Sequence, residues 1–247
     1  RNAMMGILWA VLQPVLMTLI LTFVFGFLFK NRIVERGVQT EHPFAVFLLC
    51  GLVPWHFMAM ALSCGTNSLL ESQELIKKVY FPREVIPLAA VMNCCVNFLV
   101  GFITVLAVIA AMEGPGALGA GIFLALPVFA VQLTMVVGLV LIFSTGNIFY
   151  RDVAYMIEVG LSFGFYATPV FYPVSLVEKS AEAYPLLVAL YKLNPMVGIV
   201  TSYRQTLLDN RLPDLAMIAW PLIAAFIVLC LGVWIFRKNA PKFADYL

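Results

Sequence analysis

The sequence predicts an all-α integral membrane protein with six transmembrane helices, and three observations predict it. Of its 247 residues 63% are apolar and 11% are charged, with a mean hydropathy of +0.99, whereas soluble domains carry about 25% charged residues. Windows free of charged residues recur at 2–29, 43–70, 85–112, 114–150, 159–177 and 215–236. A helix needs about 20 apolar residues to cross the hydrocarbon core; five windows clear that length and 159–177 lies at its edge. Finally, the stretch from Asn147 to Leu208 is broken by aromatics and prolines where a span should be ending. Non-helical backbone at membrane depth persists only inside protein or along a water-filled cavity. That stretch, which includes Tyr203 and Arg204, therefore points to a path for something polar.

The first span, about 6–29, carries Trp9 near one end, then Gln13-Pro14, then Thr18 and Thr22 four residues apart. A proline inside a span removes a backbone hydrogen bond and bends the helix. The two threonines serve either as packing groups or as a polar face on a conduit. The second span is about 44–69 and holds Trp55 and Phe57. Glu71, Glu74, Lys77, Lys78, Arg83 and Glu84 follow closely, with Glu74 and Lys78 at the favourable i,i+4 spacing. Tyr80-Phe81, Pro82 and Pro87 end this segment. It reads as a short amphipathic helix at the cytoplasmic surface, against a plain solvated loop.

The third span, about 86–112, places Asn93 and Asn97 on one face, suited to interhelical bonding or to pore lining. The fourth, about 119–146, is expected to pass Pro127 as one helix, because no polar turn interrupts it; its Gln132 is equally ambiguous. Asn147, Phe149-Tyr150 and Arg151-Asp152 then make a compact connection. The fifth span, about 154–172, holds Glu158 near its start, read as an interfacial acid reaching water or Arg151. Residues 173–213 are short apolar pieces broken at Asn194-Pro195, and the sixth span is about 215–236.

With six spans both termini share a side. Placing them inside puts Arg1, Lys77, Lys78, Arg83, Arg151, Arg237, Lys238 and Lys242 in the cytoplasm and Lys30, Arg32, Arg36, Lys179, Lys192, Arg204 and Arg211 outside. The counts nearly tie under the positive-inside rule; the compact pairs Lys77-Lys78 and Arg237-Lys238 favour this orientation. The net charge of +2 and the lack of a basic block exclude nucleic acid as a partner. Cys50, Cys64, Cys94, Cys95 and Cys230 all lie in apolar stretches without a C-x-x-C pair and read as buried small hydrophobes. His42 and His56 are too isolated to form a metal site. No Walker-type loop, zinc-protease helix or nucleophile elbow is present, and no acid sits mid-span beside the lone His56 to couple a proton gradient. An external ATPase is the expected source of energy. Trp55, Phe57, Phe163, Phe165, Tyr166, Phe171 and Tyr172 make a dense aromatic set beside the broken helix. Most such residues are interfacial belts, but sugar rings also stack their C–H faces on aromatics.

Seven phrases carry a family resemblance: GILWAVLQP (Gly6–Pro14), GLVPWHF (Gly51–Phe57), KKVYFPREVIPLA (Lys77–Ala89), NIFYRDV (Asn147–Val153), TPVFYP (Thr168–Pro173), LNPM (Leu193–Met196) and FADYL (Phe243–Leu247). In this order, over essentially the whole chain, they resemble the type-2 ABC exporter permeases, within them the polysaccharide branch that exports O-antigen, teichoic acid or related lipid-linked glycans. The resemblance implies one permease domain over residues 1–247 in a homodimer, with two copies of a cytoplasmic ATPase subunit. It implies no catalytic residue, metal or cofactor on this chain, with ATP and Mg²⁺ on the partner. Residues 71–83 would be a coupling helix, in which Glu71, Glu74, Lys77, Lys78 and Arg83 face the ATPase together with Arg151 and Asp152. The aromatics, with Trp9, would line the path of an undecaprenyl-linked polysaccharide. Residues 173–213 would form short re-entrant helices at the outer end, and the protein would sit in the bacterial cytoplasmic membrane. Members carry an amphipathic helix ahead of the first span, to which Arg1–Met5 would belong. A drug or lipid exporter is the alternative within transport, and a polyprenyl-lipid membrane enzyme is the alternative outside it.

Overall fold

The computed structural model of the chain describes residues 42–78, 81–181 and 184–246, together with residues 12, 16, 17, 19, 20 and 23. The expected first span therefore lies largely outside the described residues, and Trp9 lies wholly outside them. The described residues form helices and no strand. In chain order these are α1 (Phe44–Glu71), α2 (Gln73–Lys78), α3 (Val85–Glu113), α4 (Gly121–Phe149), α5 (Asp152–Ala167), α6 (Val174–Ser180), α7 (Pro185–Lys192), α8 (Pro195–Leu207), α9 (Leu215–Asn239) and α10 (Phe243–Tyr246). Four segments are long and apolar enough to cross a membrane: α1, α3, α4 and Leu215–Lys242. The count is five if α7 and α8, bent by 76° at their junction, make one span.

Two elements differ from the expected ones. The fifth expected span runs to residue 172, but α5 stops at Ala167, where Thr168 turns extended at φ −107°, ψ 141°. Pro169 follows, and a proline disfavours helical backbone at the residue before it. At 16 residues and about 1.5 Å of rise each, α5 is about 24 Å long. The segment expected as one helix over 71–83 is interrupted at Ser72: Glu71 ends α1, α2 covers Gln73–Lys78, and Pro82 opens a separate turn before α3. Pro127 lies inside a continuous α4. The break at Asn194 is a cap as well as a kink: its Oδ1 accepts from the Met196 amide at 3.0 Å, and Pro195 takes the first helical position, where a missing N–H costs nothing.

α1 is the central helix, packed on α3, α4, α5 and α8. α9 lies at the margin against α4 and α8. The α4–α9 crossing brings backbone onto backbone: a Cβ on Gly138 would stand 2.6 Å from the Leu229 amide nitrogen. Small residues allow this approach, which replaces the hydrophobic drive that lipid removes. A main apolar cluster fills the middle of the bundle. A second, formed by Leu69, Ile76, Leu141, Ile148, Phe236 and Phe243, closes one end.

The helix ends sort the charges. The second cluster gathers the C-termini of α1, α4 and α9 with α2 and the start of α3, so Lys77, Arg83, Arg151, Arg237, Lys238 and Lys242 share this basic end. His42, Glu113, Asp209 and Arg211 share the opposite one. His42, expected to be isolated, lies 2.9 Å from Glu113 and 3.4 Å from Asp209: the fold closes gaps of 71 and 167 residues that the sequence leaves open. No set of groups able to hold a metal occurs among the described residues. All five cysteines are free, but Cys64 and Cys230 are exposed rather than buried.

Candidate conduit and coupling site

The expected path residues divide into an aromatic ladder and residues that lie apart from it. Trp55 of α1 packs on α5, its ring 6.0 Å from Phe165. Phe165 stands 5.5 Å from Tyr166 and 5.8 Å from Phe171, and Phe171 stands 5.1 Å from Tyr172. These tilted and edge-on spacings are the ones aromatic pairs favour. Trp55, Phe165 and Tyr166 border a mainly apolar cavity of about 670 Å³ with His56, Ser162 and Leu16. Phe57, by contrast, is 2% exposed, enclosed by Phe98 at 5.1 Å and Phe129 at 5.7 Å: it belongs to the core of the bundle. Phe163 is on the outward side of α5, away from the ladder, and 74% exposed.

The ladder is held by residues whose role the sequence did not declare. Arg204 of α8 is 7% exposed. Its Nε donates to the Phe47 carbonyl at 3.2 Å, Nη2 to Val170 at 2.6 Å and Nη1 to Tyr172 at 3.5 Å. Its guanidinium also lies over the Phe47 ring, 3.5 Å from the centroid, a cation–π arrangement. The guanidinium thus ties α1 to the turn that presents Phe171 and Tyr172. Gly51 makes room, since a Cβ there would be 2.7 Å from Nη2 and 2.9 Å from the Val170 carbonyl. Tyr203 beside it is fully buried and donates to Gln132 Oε1 at 3.0 Å, while Gln132 Nε2 donates to the Pro54 carbonyl at 2.7 Å. Tyr203 and Arg204, expected along a polar path, are instead internal fasteners. Asn194 completes the frame, donating to Thr168 Oγ1 at 3.1 Å, and Tyr172 closes it by donating to the Tyr166 carbonyl at 2.9 Å.

At the basic end, α2 presents Glu74, Leu75 and Lys77 outward and seats Ile76 in the second apolar cluster. The Lys78 side chain lies outside the described residues. Glu71 is exposed at the end of α1. Arg83 donates to the Ala240 carbonyl, so it joins the start of α3 to the end of α9. Arg151 and Asp152 are both exposed, with Asp152 in the first turn of α5, where a carboxylate complements the helix dipole. The turn that carries them is held by Asn147. Its Nδ2 donates to the Thr66 carbonyl at 3.1 Å and Asn67 Oδ1 at 3.3 Å, and its Oδ1 accepts from the Ala154 amide at 3.3 Å. Phe243, fully buried, lies 5.2 Å from Phe236 and 6.4 Å from Phe149, which locks the C-terminal turn under the bundle.

A scaffold of apolar helices fastened by single buried polar groups, with an exposed amphipathic turn at one end and an aromatic ladder towards the other, has no catalytic constellation among the described residues. Residues 1–208 match the family described as ABC-2 type transporter. The chain belongs to that family. Full-length relatives agree: it is 29% identical over 249 residues, covering 99% of this chain and 89% of the relative, to the O-antigen export system permease protein RfbA of Myxococcus xanthus. It is 28% identical over 249 residues to the protein of the same name from Klebsiella pneumoniae, covering 100% and 89%. In this ABC-2 family chain GLVPWHF lies within α1, while NIFYRDV joins α4 to α5 and TPVFYP joins α5 to α6. Gln132, met as an ambiguous polar residue, and Arg204, a lone charge in an apolar stretch, were the available signals for the fasteners, because an ionisable or amide group at that depth needs partners.

Proposed function

We propose that the chain is the channel-forming transmembrane subunit of an ATP-driven exporter of lipid-linked polysaccharide of the O-antigen type. It works as a homodimer with two copies of an ATPase subunit that binds ATP and Mg²⁺, and it holds no cofactor of its own. The observation that carries this is the ladder Trp55–Phe165–Tyr166–Phe171–Tyr172 fastened by Arg204: a fixed run of aromatic faces lets sugar rings slide by their C–H faces without a tight pocket. The names of the relatives, O-antigen export system permease proteins, support an O-antigen-type glycan over a teichoic acid, a drug or a lipid; its undecaprenyl carrier is part of the proposal.

Six spans complete the single permease domain over 1–247, with the first at about 6–29 and α5 as the short fifth. Both termini and the basic end face the cytoplasm of a bacterial inner membrane. The residues that meet the ATPase are Glu71, Glu74, Lys77 and Lys78 around α2, with Arg151 and Asp152 beside them and Arg83 behind as a brace. Ile76 makes α2 a lever, because it shares its apolar cluster with α1, α4 and α9. A push on α2 by ATP-bound partner subunits then reaches three spans together. The wide apolar face of α5, with Met156 and Phe163 strongly exposed, supports a second copy across the path.

Co-reconstitution with the ATPase subunit tests this. Glu74→Lys with Lys77→Glu should abolish coupled ATP hydrolysis and glycan export while the thermal midpoint stays within about 2 °C, since both side chains are exposed and exposed surface changes cost within about 0.5 kcal/mol. Unchanged coupling would remove α2 from the interface, and turnover of a lipid-linked sugar by the chain alone would overturn transport as its role.

A further inference from the structure

The outward face of α9 ends in a feature that transport of a glycan does not use. Leu229, Cys230, Val233 and Trp234 line an apolar groove of about 700 Å³ whose end at the basic side is formed by Arg237 and Lys238. Lys238 does not simply extend into water. Its Nζ stands 4.8 Å over the Trp234 ring, drawn back towards the groove by the ring's negative face. Arg237 is 73% exposed and touches Glu84 through Nε at 3.5 Å. A guanidinium has five N–H donors, so among the described residues its terminal nitrogens keep donors for a further acceptor. Among the described residues Arg237 pairs with the Glu84 carboxylate and Lys238 with the Trp234 ring, so two cations and one paired carboxylate stand at the end of an open apolar trough. The cations also complement the C-terminal dipole of α9, but that role calls for neither the trough nor the tryptophan.

We propose that this groove seats one anionic phospholipid of the surrounding bilayer, an acyl chain lying along Leu229, Cys230, Val233 and Trp234 and the phosphate bridging Arg237 and Lys238. Basic pockets at the membrane surface recognise lipid headgroups through charge, and apolar troughs select chains over soluble phosphates. The site is a lipid contact at the margin of the bundle, on α9, away from the aromatic ladder on α1 and α5. Naming the leaflet as cytoplasmic rests on the orientation proposed above; the binding itself does not.

The experiment is native mass spectrometry of the full chain in detergent, titrated with phosphatidylglycerol or phosphatidylcholine. The wild type should retain one phosphatidylglycerol at least tenfold more tightly than phosphatidylcholine. R237Q and K238Q should each weaken that retention about fivefold, and the double variant should abolish the preference. E84Q, which frees Arg237 from its carboxylate, should hold phosphatidylglycerol as well as or better than wild type. Equal retention of the two lipids by wild type overturns the proposal, even if no variant folds. So does a double variant that keeps the preference, or an E84Q that loses it. None of these readouts requires the ATPase or a glycan, so failure here leaves the transport reading standing, and the reverse.

Discussion

α1 and α9 look alike as sequence and are opposites as structure. Both are long apolar helices with an internal proline, with hydropathies of 1.9 and 2.5 over their most apolar windows, yet 78% of the α1 window is buried and only 22% of the α9 window. The less apolar helix is the inner one. In a bilayer the lipid is as apolar as leucine, so burial selects for close packing and for polar groups that partners can satisfy rather than for hydropathy. α1 supplies carbonyl acceptors at Phe47, Pro54 and Thr66 to side chains from α8 and α4. α9 offers Phe226 and Trp234 outward and touches the bundle through Gly232, against α4, and through Met217 and Pro221, against α8.

Substitutions at four positions, followed by thermal unfolding in detergent or nanodiscs, would break or sharpen the contrast. The largest effect is expected at Arg204→Gln, which removes a charged donor serving up to three carbonyls around α1: a loss of about 3 kcal/mol, since hydrogen bonds to charged groups contribute about 1.5–3 each. Arg204→Lys should recover little of it, because a single ammonium cannot span the acceptors of the fork. Wild-type stability in Arg204→Gln would show that the clamp is not a fastener. Next comes Phe57→Ala, whose cavity and lost contacts should cost about 2 kcal/mol, less than in a soluble core because lipid removes the transfer part. Asn147→Ala should cost about 1 kcal/mol and, as its signature, speed hydrogen exchange at the Ala154 amide. A protection pattern unchanged there would release the Arg151-Asp152 turn from Asn147. Smallest is Phe226→Ala on α9, 65% exposed, expected to shift stability by less than about 0.5 kcal/mol. A cost equal to that of Phe57→Ala would mean that α9 is covered by protein.

Much of the frame was legible in the sequence because its signals are local. Charge-free length marks apolar helices, Asn194-Pro195 marks a cap, and Pro82 and Pro169 mark stops whose cause lies within a residue or two. The expectation of a span reaching 172 failed at Pro169, where the local proline rule outweighs apolar continuity, whereas the helix expected over 71–83 is interrupted at Ser72, which no local signal marks. The site was legible only in part. Trp55, Phe165, Tyr166, Phe171 and Tyr172 do meet, whereas Phe57, two residues from Trp55, points from the same helix into the core. Nothing in the composition separates the two faces, since both are aromatic and apolar.

By itself the sequence determined an apolar helical chain, the short helices around Asn194-Pro195 and the lack of an ATP-binding loop, all properties of neighbouring residues. Only the tertiary structure decided which helix is central, which aromatics form a ladder, and that Arg204 closes over carbonyls 157 and 34 residues away. The reason is physical: helix formation satisfies backbone groups within a few residues, but a buried guanidinium or amide must find acceptors wherever the fold brings them.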